Sequence, residues 1–182
     1  VTVSYDRVDN TYTTSHMNGK IIKIMHNSVE NITWEEIKFI WEKYLWPNKK
    51  SGVKPFNKWT WKYPGRSFGS NYDMNVSPVF FGIYEDDKLV SVNSCYMSNV
   101  WEGSIYFRSR GLWTDSECRR KGYASLILLE TIKYAKENNG TWIWTVPRKT
   151  ALPAYENVGL KQWSGWKNDL EYGPNCIATK YL

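Results

Sequence analysis

Hydrophobic and polar positions follow two rhythms along this chain. In WEEIKFIWEKYLW, residues 34–46, the apolar positions Trp34, Ile37, Ile40, Trp41 and Leu45 recur at helical spacing, which predicts an amphipathic helix. Thr33 and Glu36 ahead of it have the spacing of a capping box, and Pro47 ends it. A longer helical pattern, ASLILLETIKYAKENNG, predicts a helix from about Tyr123 to Glu137, stopped by Asn138, Asn139 and Gly140. Its face Leu126, Leu129, Ile132 and Ala135 belongs in a core.

The second rhythm is that of strands. Residues 79–84, 89–97 and 104–114 are β-branched and aromatic runs joined by the polar turn EDDK and by a turn around 101–103, which predicts an antiparallel meander. A strand over 141–146, a short helix near 151–157 closed by Gly159, and strands at 161–163 and 176–181 complete the second half. Residues 20–26, KIIKIMH, read as a first strand, and the polar residues 1–19 as a loose arm or short hairpin. Residues 48–78 read as irregular, too long for a bland connector and therefore functional or mobile. The order predicts an α+β fold, a mixed sheet flanked by helices, and the length of 182 residues favours one domain over 1–182.

Composition narrows the function classes. No apolar run approaches the roughly 20 residues of a membrane span, and the first residues lack the layout of a signal peptide. The net charge of +6 suits an acidic ligand but is too diffuse to indicate nucleic acid. Cys95, Cys118 and Cys176 are far apart and form no CxxC pair, so neither a disulfide framework nor a zinc site is expected; the reading is a reducing, cytoplasmic compartment. His16 and His26 are the only histidines, too few for a metal cage or a histidine triad.

Candidate chemistry concentrates in LWTDSECRRKGYAS, residues 112–125. An apolar run ends at Thr114, and Arg119, Arg120, Lys121 and Gly122 lead straight into the long helix. A basic, glycine-containing turn at a helix start is an anion site, because the first helical N–H groups lack internal partners. Without an anion the positive charge would oppose the helix dipole. The expected guest is a phosphate or diphosphate. Cys118, beside two arginines, is either a reactive thiolate or a residue that merely fills the loop.

Arg119, Gly122 and Ala124 match in register the signature Arg/Gln, two residues, Gly, one residue, Gly/Ala. Downstream, Ala151, Tyr155 and Gly159-Leu160 match a second segment, Ala-x-x-x-Tyr-x-x-x-Gly-Phe. On these residues the chain resembles the GNAT superfamily of acyl-CoA-dependent N-acyltransferases, from about residue 79 to the C-terminus. The resemblance implies a mostly antiparallel central sheet whose fourth and fifth strands, here 104–114 and 141–146, splay apart around acetyl-CoA. It implies that Arg119, Arg120, Lys121, Gly122, Tyr123, Ala124 and Ser125 form the diphosphate loop. Leu112, Trp113 and Thr114 would pair with pantetheine, and a strand-end N–H near Leu112 or Trp113 would hold the oxyanion. Tyr155 would be the general acid, and no metal is involved.

Departures from the pattern carry expectations too. Arg148 stands where the family has Asn and would instead reach a phosphate. The common base position falls on Arg108, which cannot take a proton, so Glu102, Asp115, Glu117 and a bound water stay open as the base. Trp59, Trp61 and Tyr63 lie where the family builds its acceptor site, as an aromatic wall for a cationic amine or as loop anchors. The expected partner is a small-molecule amine or a peptide, with the chain a monomer or homodimer. The rival readings are a non-catalytic CoA-binding or protein-interaction module and a basic RNA-binding protein.

Overall fold

The computed structural model describes residues 28–49, 52–56, 77–168 and 173–182 in full. Five further strands, Thr2–Asp6, Thr11–Ser15, Ile21–Ile24, Thr60–Tyr63 and Arg66–Gly69, are described as backbone. The first three of these, β1 to β3, form an antiparallel sheet of their own in the order β1-β2-β3. β1 and β2 are thus the hairpin reading of the polar N-terminal residues. The strand expected at 20–26 exists as β3, but it pairs with β2, Tyr12 opposite Ile24.

The main sheet opens instead with β4 (Glu30–Ile32), which the sequence pattern does not announce, because only Ile32 of its three residues is even half-buried. Thr33 then caps α1 (Trp34–Ile40). Its hydroxyl accepts from the Glu36 N–H at 3.3 Å while the Glu36 carboxylate accepts from the Thr33 N–H at 2.7 Å, the expected capping box. The helix continues to Leu45 as a π-helical turn, closed by the Trp46 N–H on Trp41 O at 2.7 Å. Between here and the next main-sheet strand, β5 (Thr60–Tyr63) and β6 (Arg66–Gly69) form a hairpin with Trp61 opposite Phe68. The stretch read as irregular therefore contains ordered pairing.

β7 (Val79–Glu85), β8 (Lys88–Trp101) and β9 (Ser104–Thr114) make the predicted meander. α2 (Tyr123–Glu137), β10 (Trp142–Thr145), α3 (Leu152–Glu156), β11 (Lys161–Gln162) and β12 (Ala178–Tyr181) follow. The seven-stranded sheet has the order β11-β12-β10-β9-β8-β7-β4, and only β9 and β10 run parallel. One face packs on α2 and α3 through Leu126, Ile127, Ile132 and Leu152. The other carries Trp41, Trp46 and Val92 under α1 and, beside them, Trp144, Val146 and Ile177. Coverage on both faces explains why the middle of β8, Val90 to Tyr96, is buried continuously rather than in alternation. Leu129 of the predicted helix face is only half-buried, and Leu128 and Thr131 are buried in its stead.

Candidate active site

The site begins with an interruption in strand pairing. β9 pairs with β8 along its whole length, to Thr114 opposite Ser91. On its other side β10 pairs only with Tyr106, Phe107 and Arg108, so the two parallel strands part company at Ser109. Beyond that point the β9 residues Ser109 to Leu112 face a gap whose far wall is Thr145 to Arg148, whereas Trp113, expected beside them, stacks on Tyr44 at 5.0 Å and Thr114 does not line the gap. This is the splay that the resemblance implied, and it offers main-chain groups to an extended ligand.

A bulge shapes that edge. Between the pairs Val92–Trp113 and Ser94–Arg110, β9 spends one residue more than β8. Gly111 lies here with φ +78°, and its carbonyl accepts the Trp41 indole N–H at 2.8 Å. A Cβ at Gly111 would sit 2.1 Å from the Trp41 ring, so glycine is required both by conformation and by space. The π-turn that carries Trp41 also brings Leu45 and Trp46 to the gap.

Tyr155 reaches the apex of the splay from α3. Its side chain is buried, and its hydroxyl lies 3.4 Å from Ser109 Oγ, on the first β9 residue past the last β10 pair. Ser109 is itself held: Asn93 Nδ2 donates to Ser109 Oγ and to Thr131 Oγ1, both at 2.9 Å, and Thr131 donates to Ile127 O at 2.7 Å. The phenol is therefore wired through β9 and β8 to α2. Sequence reading named Tyr155 but not Ser109, Asn93 or Gly111. Gly111 alone left a signal, as a glycine inside a strand pattern.

The basic turn follows the C-terminal end of β9. Asp115 caps the short turn Ser116–Cys118 by accepting from the Glu117 N–H at 3.0 Å. Arg120 (φ +63°) and Gly122 (φ +84°) are left-handed and swing the chain into α2. Leu126 makes the first helical bond, to Gly122 O at 3.0 Å, and no side chain caps the helix. The N–H groups of Tyr123, Ala124 and Ser125 thus point out of the helix end with its partial positive charge, which fits a diphosphate. The basic side chains divide their roles. Lys121 is ion-paired to Glu85 at 2.9 Å, and Tyr123 donates to the same carboxylate at 2.6 Å, whereas Arg119 and Arg120 are exposed. Arg148 lies on the far wall of the gap, 3.4 Å from Leu45 O.

The candidate bases fare differently. Glu102 sits in the turn joining β8 to β9, at the opposite end of an 11-residue strand from Thr114, so roughly 30 Å separates the two. Asp115 is committed to Lys88 at 2.7 Å, and that ion pair holds its carboxyl below the usual range. Glu117 is exposed on the turn. Among the described residues, no Asp, Glu or His lines the gap. The base position does hold Arg108, fully buried, with Tyr96 OH 3.3 Å from its Nη1 and the Trp144 ring 4.8 Å from its Cζ. Arg110, two residues on, stacks on Trp46 at 4.5 Å. Cys118 is buried, and burial pushes its thiol up, away from a reactive thiolate. Trp59, His16 and His26 lie outside the described residues, as do the side chains of Trp61 and Tyr63. No group of metal-ligating side chains occurs among the described residues, and no described helix is long and apolar enough to cross a membrane.

The sequence matches the profile of the Acetyltransferase (GNAT) family over residues 33–160. The chain belongs to that family. Its mostly antiparallel sheet, with a fourth and fifth strand that splay, is the architecture the motif resemblance implied for a GNAT protein. No sequence among curated proteins matches the chain. Solved structures do. A Klebsiella pneumoniae protein assigned by name as an acyl-CoA N-acyltransferase superposes with TM-score 0.56 at 9% identity, covering 86% of this chain and 97% of that one. A Lactobacillus plantarum protein assigned by name as an N-acetyltransferase gives 0.55 at 14% identity, covering 86% and 99%. A chain of the NatC complex bound to Gag peptide and CoA gives 0.51 at 15% identity, covering 57% and 70%. At these identities the likeness is one of fold.

Proposed function

We propose that this GNAT protein transfers an acetyl group from acetyl-CoA to a primary amine by direct attack on the thioester, residues 1–182 acting as one domain. The observation that carries the reading is the gap opening at Ser109, with a buried phenol at its apex and an uncapped helix start in the chain that follows β9. Pantetheine would lie along the exposed edge of β9, contacting Leu112, Trp113 and Thr114. Its diphosphate would sit on the main chain of Arg119 to Ser125, with Arg148 across the gap. The amine nitrogen forms a bond to the thioester carbon, and the carbonyl oxygen becomes an oxyanion that the N–H of Leu112, beside Gly111 in the bulge, stabilises. Collapse breaks the carbon–sulfur bond, and Tyr155 gives its phenolic proton to the departing thiolate. The nitrogen's surplus proton leaves to water, consistent with a gap whose described lining has no carboxylate or imidazole.

The acceptor is a small amine or a peptide, and Trp59, Trp61 and Tyr63 are proposed as its aromatic wall. Three buried, free cysteines suit a cytoplasmic setting. The test is a thiol-release assay with acetyl-CoA and a panel of amines and peptides. Tyr155→Phe is expected to lower kcat at least tenfold with little change in CoA affinity; roughly 10²–10⁴-fold is typical for a lost general acid. Unchanged turnover removes Tyr155 from the mechanism. Arg108 at the base position supports one second reading, a CoA-binding module without catalysis, which predicts CoA binding and no thiol release with any acceptor.

A further inference from the structure

The far wall of the gap carries a polar group that the scheme above does not use. Asn175 is 3% exposed and lines the gap. Its Nδ2 donates to Val146 O at 3.1 Å, and its backbone forms bridges to Lys167 and to Arg148. Its Oδ1 is buried and accepts no hydrogen bond from the described residues. Chemistry fixes which amide atom is which: turned over, Oδ1 would face the lone pairs of the Val146 carbonyl. A buried carbonyl left without a donor is costly, about 1–3 kcal/mol, which a ligand N–H would relieve.

We propose that Asn175 binds the pantetheine arm of the thioester, its Oδ1 accepting a hydrogen bond from one of the two amide N–H groups. The proposal rests on the gap being the acyl-CoA site. Two features favour the arm over the acceptor amine as the donor. Val146, which anchors Asn175, belongs to the chain just past β10's last pair with β9, so the amide stands on the wall opposite the vacant β9 edge where an extended arm would run. Arg148, where an amide side chain was implied, is bridged to Asn175 itself. That bridge sets Asn175 beside Arg148 on the same wall of the gap.

Calorimetric titration of CoA into wild type, Asn175→Ala and Asn175→Ser tests this, together with two CoA analogues in which each pantetheine amide N–H is replaced in turn by an ester oxygen. Both variants are expected to bind CoA about fivefold more weakly, the loss of one net hydrogen bond. One analogue should lose a similar factor against wild type and nothing more against Asn175→Ala. Variants that bind CoA like wild type overturn the proposal, as does a loss that multiplies equally with both analogues. A wild type that fails to bind CoA instead removes the reading of the gap, and this residue's role with it. Circular dichroism checks each fold, and Asn175→Ser carries the comparison if the alanine variant unfolds.

Discussion

At the scale of single residues, Gly111 links the stability of the β9 edge to the proposed chemistry. Its left-handed φ and its contact with Trp41 leave no room for a side chain. Gly111→Ala combines backbone strain with overpacking, each of which costs about 1 kcal/mol or more, so a loss of roughly 2–4 kcal/mol in urea denaturation is expected. The same change would shift the bulge that holds Leu112, the proposed oxyanion donor, so turnover should fall more than CoA affinity does. A variant with unchanged stability would mean that Trp41 yields freely. Ser109 and Asn93 were not legible beforehand, because a serine and an asparagine inside strand patterns carry no signal of their own. Register brings Asn93 and Ser109 together and the packing of α2 on the sheet adds Thr131, and register is a property of paired strands rather than of one strand's composition.

Among the elements, α2 was the most legible, since its period, its stop and its basic entry all agree. The meander and α3 were legible for the same reason. β4 was not: three mostly exposed residues have no periodicity, and their strand state comes from pairing with β7, Asn31 opposite Phe81. The β5–β6 hairpin was likewise hidden within a stretch rich in Gly, Pro and Lys. The start of α2 supports a separate prediction. Gly122→Trp would force an indole into a left-handed position beside the open N–H groups. CoA binding by calorimetry should be lost, while far-UV circular dichroism should retain α2, whose Leu126, Ile127 and Ala135 stay buried. Wild-type affinity in this variant would move the diphosphate away from the turn.

Across the whole molecule, three carboxylates fasten the rim near this turn, and they share one pH dependence. Glu36 accepts from the Thr33 N–H and from the Tyr84 hydroxyl, tying α1 to β7; the first holds its carboxyl low most strongly, and the Tyr84 phenol is pushed up to about 12 in return. Glu85, held low by Tyr123 and then Lys121, ties β7 to the entry of α2. Asp115, held low by Lys88 and then the Glu117 N–H, ties the β7–β8 turn to the basic loop. A carboxyl with a lower pKa in the folded chain than in the unfolded one stabilises the fold above the unfolded value, and that contribution disappears as pH falls through the folded one. The melting temperature should therefore decline below about pH 4.5, where unfolded carboxyls begin to bind protons. Because these groups lie near the surface, each contribution is small and screened by salt. The combined variant Glu36→Gln, Glu85→Gln, Asp115→Asn should melt at lower temperature at neutral pH and show a flatter acid limb. Thermal melts of both proteins between pH 3 and 7 read this out. Parallel acid limbs would show that the rim contributes nothing, leaving carboxylates elsewhere in the chain to set the acid response.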